Sequence, residues 1–416
     1  MSMLRTALMA VTAATAAMAP AVGTAGPAAA APADRDHGND ANHREHGATR
    51  QAVEAAVADG VPGVIAQAKD KRGGVWKTAA GVGNLDTGAP RTPKDRFRVG
   101  SITKTFVATV VLQLEAEGKL SLDDTVEKWL PGLVTGNGHD GDAIIVRQLL
   151  NHTSGIFNST EDSGFLDTYY FADGFLRHRY DTVTPEQLVA IAMKHEPYFA
   201  PGTGWHYSNT NYVLAGLIIE KATGNPYGDE VRARIVEPLG LRSTTVPGTD
   251  PTMPSPSGRA YSKLALTADG PTYDVTEFNP SIPYAAGEII STTADLNRFV
   301  TALVRGDLLP PKQQSELTTT VEATGYPDER YGLGITDVEL SCGIHVWGHS
   351  GDVPGSHSDM ATTPDGRHSL AFNFNGDWAG DAEAVIEAEF CGEGAEQGNG
   401  GAGGEGEPGE QGNRAI

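Results

Sequence analysis

Cysteine is nearly absent from this 416-residue sequence: only Cys342 and Cys391 occur. That scarcity argues against a disulfide-dense scaffold or a thiolate-rich metal centre. Positive charge is also in short supply. Against 53 acidic residues stand only 31 lysines and arginines, a formal net charge of -22, and such a surface repels nucleic acid and anionic membranes. After the N-terminal region no run reaches the roughly 18 to 20 apolar residues that a membrane span requires. Internal repeats are missing as well. Two cysteines, with His345 three residues after Cys342, make too poor a ligand set to suggest a metal site, so neither a metal nor a cofactor is expected.

What is present begins with a leader. Arg5, the small-apolar run Ala7 to Met18 and the alanines around Ala31 read as a secretory signal over residues 1–33, which predicts an extracellular protein. In that compartment Cys342 and Cys391 are most simply one disulfide, which would contribute up to about 4 kcal/mol in the chain-entropy model. Residues 34–50 are polar, with His37, His43 and His46, and read as a solvated linker. A short helix is expected from Gln51, then a hairpin of Gly63 to Ala68 and Gly74 to Val82 joined by a charged turn. Residues 118–289 carry helical patterns and polar loops. Strand signals return at Tyr331 to Ile335, Ile344 to Trp347, Ser356 to Thr362 and His368 to Phe374, before a last helix near Asp381 to Phe390. The order predicts an α/β chain of α+β type. Its antiparallel sheet is drawn from both termini (residues 51–117 and 290–391) and flanked by helices, and residues 118–289 form a mostly helical insertion. Residues 392–416 are Gly/Glu-rich and read as a disordered tail.

Three short segments carry chemistry. Ser101-Ile102-Thr103-Lys104 opens a stretch in which Ile102, Phe106, Val110 and Leu114 recur at helical spacing, with Gly118 as the stop. Residues three apart stack on one helical face, so the Lys104 amine can take the Ser101 proton. A serine at a helix start is also an ordinary cap. The second segment, Tyr207-Ser208-Asn209, lies at the entrance of another apolar helix and offers a phenol for proton transfer and a carboxamide for hydrogen bonding. The third, His349-Ser350-Gly351, ends a strand, where glycine permits close backbone approach.

Enzymes that recognise penicillin through an active-site serine carry S-x-x-K, S-D-N and K-T-G, and here the order is Ser101-x-x-Lys104, Tyr207-x-Asn209 and His349-Ser350-Gly351. The chain resembles the D-alanyl-D-alanine carboxypeptidase/transpeptidase family, low-molecular-mass penicillin-binding proteins allied to class C β-lactamases. Arg147 to Gly155, Ala286-Gly287, Ser291 to Leu296 and Tyr331 to Gly334 extend the resemblance across residues 51–391. It implies an acyl-enzyme on Ser101, proton transfer by Lys104 and Tyr207 with His349 helping to tune them, and Asn209, Ser350, Gly351 and Asp352 contacting the substrate. The oxyanion would lie between the backbone N–H groups of Ser101 and Asp352. Implied partners are a small peptide or β-lactam substrate and cell-wall peptidoglycan, with D-alanyl-D-alanine carboxypeptidase as the leading activity. Esterase, D-amino-acid peptidase or amidase, β-lactamase and a non-catalytic penicillin sensor remain open. One departure matters. Asp352 stands where the family often has threonine, and Ile335 to Glu339 holds no arginine for a terminal carboxylate, so an amine, amide or ester is expected to suit the pocket better. The Gly348-His349-Ser350-Gly351-Asp352 segment lacks the context of a nucleophile elbow, and an α/β-hydrolase is rejected.

Overall fold

The computed structural model describes residues 46–392. The expected leader, the linker as far as residue 45 and the tail from residue 393 lie outside the described residues. Strands β1 (Gly63–Lys69), β2 (Val75–Gly81), β3 (Val321–Glu322), β4 (Glu329–Tyr331), β5 (Thr336–Glu339), β6 (His345–Val353), β7 (Ser356–Thr362) and β8 (Ser369–Phe374) form one eight-stranded sheet. Its order is β2-β1-β8-β7-β6-β5-β4-β3, and every neighbouring pair is antiparallel. The expected sheet from both termini is therefore what forms. β7 and β8 are buried throughout, as suits central strands covered on both faces, whereas β2 at the edge is half exposed.

The alternation of strand side chains divides the core in two. Val64 and Ala66 of β1 point into a cluster with Val53 and Ala56 of helix α1 (Gly47–Ala58). Val385 and Phe390 of the final helix, here α5 (Ala382–Cys391), complete that cluster. Ile65 points the other way, into the larger cluster built on α2 (Ile102–Ala116), α3 (Asn209–Thr223) and α4 (Thr293–Val304). Cys342 is paired with Cys391 (Cα–Cα 5.8 Å), tying the turn between β5 and β6 to α5.

Helix α2 is the element on which the site depends. Seven of its residues are β-branched (Ile102, Thr103, Thr105, Val107, Thr109, Val110 and Val111), a poor composition for an isolated helix. Packing supplies the stability. Twelve positions from Ile102 to Leu114 are buried, and Phe106 stacks on Phe299 of α4 at 3.7 Å between ring centroids. Each such apolar side chain contributes about 1.5–3 kcal/mol by burial. Gly118, at φ +68°, ends the helix as expected.

Two expectations need correction. The first helix begins at Gly47 rather than Gln51, and His46 is 2 % exposed instead of solvated. Its Nδ1 lies 3.0 Å from Glu389 Oε2 in α5, and its ring stacks on Trp76, so partners distant in the chain remove it from water. The strand read as Tyr331 to Ile335 ends at Tyr331. Gly334, at φ +73°, turns the chain, and β5 follows as a separate strand. No helix among the described residues is long and apolar enough to cross a membrane.

Candidate active site

Ser101 stands at the N-cap, immediately before α2, with helical dihedrals (φ -62°, ψ -11°), and its side chain makes no capping hydrogen bond. The simple cap is therefore not its role in this fold, and the hydroxyl is left for Lys104, whose Nζ stands 2.8 Å from Ser101 Oγ. Two further acceptors surround the amine: Asn209 Oδ1 at 2.7 Å and the Ala286 carbonyl at 2.8 Å. Lys104 is fully buried, and burial holds its pKa well below the ordinary lysine range. A neutral amine has two hydrogens and one lone pair. It can donate to Asn209 Oδ1 and to the Ala286 carbonyl while its lone pair accepts the Ser101 hydroxyl proton.

Tyr207 hydrogen-bonds with Ser101, and Lys104 Nζ lies 4.8 Å from its ring centroid. Burial pushes the phenol above its ordinary range, and the Asp352 charge adds to the shift. The phenolate considered from sequence is thus disfavoured. Asn209 is held by the Asn158 carboxamide oxygen, which accepts its backbone N–H, and donates through Nδ2 to Thr160 Oγ1. Its oxygen is thereby aimed at Lys104.

His349 stands one layer behind. Its Nε2 lies 2.9 Å from Tyr331 Oη and its Nδ1 2.5 Å from the Ser350 carbonyl. Burial and the Lys104 charge lower its pKa to about 3. A neutral His349 supplies no positive charge, so the expected electrostatic help to Lys104 is replaced by desolvation. The histidine instead extends a buried chain. The Ser208 backbone N–H donates to His152 Nδ1, His152 Nε2 lies 3.3 Å from Tyr331 Oη, and Tyr331 leads to His349.

The third segment meets the nucleophile through backbone. A Cβ on Gly351 would stand 2.6 Å from Ser101 N, and one on Gly100, at φ +55°, the same distance from Asp352 N. Only glycine allows the Gly100–Ser101 turn and the Gly351–Asp352 peptide to approach so closely. β5 pairs with His345–Gly348 alone, so the β6 edge from His349 onward faces the cleft rather than a neighbouring strand. Ser350 and Asp352 lie on that stretch, beside a cleft of about 650 Å³.

A model of the beta-lactamase family matches residues 49–389. The chain belongs to that family. Among solved structures, a D-stereospecific amidohydrolase from Streptomyces sp. is 59% identical, with TM-score 0.80, covering 83% of this chain and 99% of its own. A D-amino acid amidase from Ochrobactrum anthropi, complexed with L-phenylalanine amide, is 29% identical with TM-score 0.71, covering 83% and 98%. A penicillin-binding protein from Bacillus subtilis is 28% identical over 296 residues, which span 69% of this chain and 62% of that protein. This beta-lactamase family member is therefore a serine hydrolase by fold and family, while it spans only about three-fifths of that curated relative.

Sequence reasoning missed several residues of the site. His152 and Tyr331 sit inside segments recognised as family-like, yet no spacing placed their side chains behind His349. Apart from Asp352, the carboxylates of the cleft were harder to foresee. Asp328, Glu329, Glu339, Asp352, Asp359, Glu383 and Glu387 line this family member's cleft, and no lysine or arginine does so among the described residues. They come from separate strands, loops and a helix, so nothing local in the sequence groups them.

His357 organises two of these carboxylates. Its Nδ1 and Nε2 lie 2.7 Å from Asp352 Oδ1 and Asp359 Oδ2, respectively. Burial alone would lower its pKa, but the two carboxylates outweigh it and raise the value from 6.5 to about 10. Since the folded value lies above the unfolded one, the pairing contributes fully below pH 6.5 and is lost as pH rises toward about 10. Unfolding free energies measured between those limits should fall with a slope approaching about 1.4 kcal/mol per pH unit. His357→Gln should remove that slope, and an unchanged slope would count against the pairing.

Proposed function

We propose that this serine hydrolase cleaves amides, peptides or esters of D-amino acids whose α-amine is free. The observation that carries the reading is the charge of the cleft: seven carboxylates, of which Asp352 and Asp359 share the His357 imidazolium, and no lysine or arginine among the described lining residues. A substrate ammonium is attracted there. A C-terminal carboxylate about 4 Å from one such group meets repulsion of order 4 kcal/mol at a surface-like dielectric before screening, which disfavours the D-alanyl-D-alanine carboxypeptidase reading. Preference for the D configuration is supported by the names of the Streptomyces and Ochrobactrum enzymes.

In the proposed mechanism, neutral Lys104 takes the Ser101 proton as Oγ attacks the substrate carbonyl. The oxyanion accepts hydrogen bonds from the Ser101 and Asp352 N–H groups. Tyr207, protonated and bonded to Ser101, relays the proton from Lys104 to the leaving nitrogen, and the C–N bond breaks to give the acyl-enzyme. Water then attacks the ester, giving up its proton through the same groups to Ser101 and releasing the acid. His349, held neutral by burial, positions the β6 edge through Ser350. The leader-like N-terminal segment supports export, so the proposed place of action is outside the cell.

The test compares kcat/KM for D-phenylalanine amide, its L enantiomer, its N-acetyl derivative and an N-acylated D-alanyl-D-alanine peptide. The free-amine D substrate should exceed each of the others by at least about 100-fold, some 3 kcal/mol in transition-state binding. Efficient release of D-alanine from the acylated dipeptide, with no turnover of the amide, would restore the carboxypeptidase reading.

A further inference from the structure

A second cavity of about 520 Å³ is lined by residues that the mechanism above does not use. Its walls include Val183, Val246 and the rings of Tyr227 and Tyr284, which meet edge to face at 4.9 Å between centroids. Three carboxylates, Glu220, Asp229 and Glu288, also line it. Glu220 Oε1 accepts from Tyr284 Oη at 2.8 Å, and Glu288 accepts from the Tyr227 hydroxyl and from Gly248 N–H at 2.7 Å. All of these donors are neutral. No lysine, arginine or histidine forms an ion pair with Glu220 or Glu288 among the described residues, and Arg232, the cation in the lining, pairs with Asp229 at 3.0 Å.

Glu288 is 1 % exposed, and a buried carboxylate without a cationic partner is costly to ionise. Burial raises the Glu288 pKa to about 7, against the Tyr227 and Gly248 hydrogen bonds and the more distant Arg98 charge, which lower it. What Glu220 and Glu288 lack among the described residues is an ion-paired cation, since Arg232 is engaged by Asp229. Aromatic faces beside carboxylates are a suitable surround for an organic cation, because ring quadrupoles and negative charge attract the same ligand. The apolar walls suit a hydrocarbon body attached to it.

The cavity is joined to the catalytic centre by a few residues of backbone. Tyr284, at φ +41°, opens the turn whose Ala286 carbonyl accepts from Lys104, and Glu288 follows two residues later. A positive φ at a bulky residue is strained and persists only under tight constraint by its surroundings.

We propose that this cavity is a second ligand site, for an organic ammonium ion with an apolar body, and that its occupancy is felt at Lys104 through the Tyr284-to-Glu288 segment. The ligand pairs with Glu220 and Glu288 and packs on Tyr227 and Tyr284. The probe is benzyltrimethylammonium, which cannot serve as an acyl acceptor, titrated calorimetrically into the full chain at pH 7. Saturable binding to the wild type is expected, with proton release as the ligand favours ionised Glu288. Glu288→Gln and the cavity-filling Val246→Trp should each weaken binding at least tenfold, whereas Asp352→Asn, in the catalytic cleft, should not. Saturation should change kcat for a chromogenic ester with KM unaltered. Absence of saturable binding would overturn the site, as would equal binding by the Glu288 and Val246 variants or loss in the Asp352 variant alone. Should Glu288→Gln fail to fold, Val246→Trp carries the same test, and binding without any change in kcat would overturn the coupling to Lys104.

Discussion

Arginine in place of Lys104 is expected to lower kcat for acylation by about 10³- to 10⁴-fold, because a guanidinium cannot give up its proton near neutral pH to become the base. Methionine at this position, similar in length and without an amine, should lose as much. The reason lies in the burial of Nζ between Ser101 Oγ, Asn209 Oδ1 and the Ala286 carbonyl. Desolvation destabilises the ammonium there, and no carboxylate forms an ion pair with it among the described residues. For the wild type, kcat/KM should accordingly rise with pH along a limb that falls below the ordinary lysine pKa, since burial lowers that value and the neutral amine is the active form. Acylation bursts with a chromogenic ester measure both effects. A Lys104→Arg variant that kept a tenth of the wild-type burst rate, with its thermal transition intact, would remove Lys104 from the role of base.

Gly351→Ala should be nearly as damaging, with an expected loss of about 100-fold in kcat and about 1–3 kcal/mol in stability. The added methyl carbon would stand 2.6 Å from Ser101 N, against backbone rather than a side chain that could swing away. Either the Gly100–Ser101 turn or the β6 edge must move, and both are proposed to frame the oxyanion. Removing one such donor costs about 10² to 10³ in other serine hydrolases. Burst rate and chemical denaturation of the same preparation separate the catalytic loss from the structural one. A variant with full burst rate would show that the peptide at Gly351 does not frame the reacting atoms.

Much of the fold was readable from local pattern. α4 was expected over the residues it occupies, Thr293–Val304, and in the structure Thr292 caps it by accepting from Asp295 N. β7 was likewise expected at Ser356–Thr362. The failures have a common cause. His46 looked like linker because its partner Glu389 is 343 residues away, and Tyr331 to Ile335 looked like one strand because a glycine turn inside an apolar run leaves little trace in hydropathy.

The same division applies to the site. The three-residue spacing of Ser101 and Lys104 is a property of one helix turn, and the sequence alone determined that their side chains share a face. It also named Tyr207, Asn209 and Gly351 as their companions through order and resemblance. Only tertiary structure decided which groups are charged. Burial lowers Lys104 and, with a smaller contribution from Lys104, neutralises His349, and His357 comes to lie between Asp352 and Asp359. The cleft's negative charge arises in the same way, from carboxylates scattered between Asp328 and Glu387 that converge only when strands, loop and final helix are assembled. Spacing along a helix is local geometry and can be read from the chain, whereas desolvation and electrostatic fields depend on everything packed around a group.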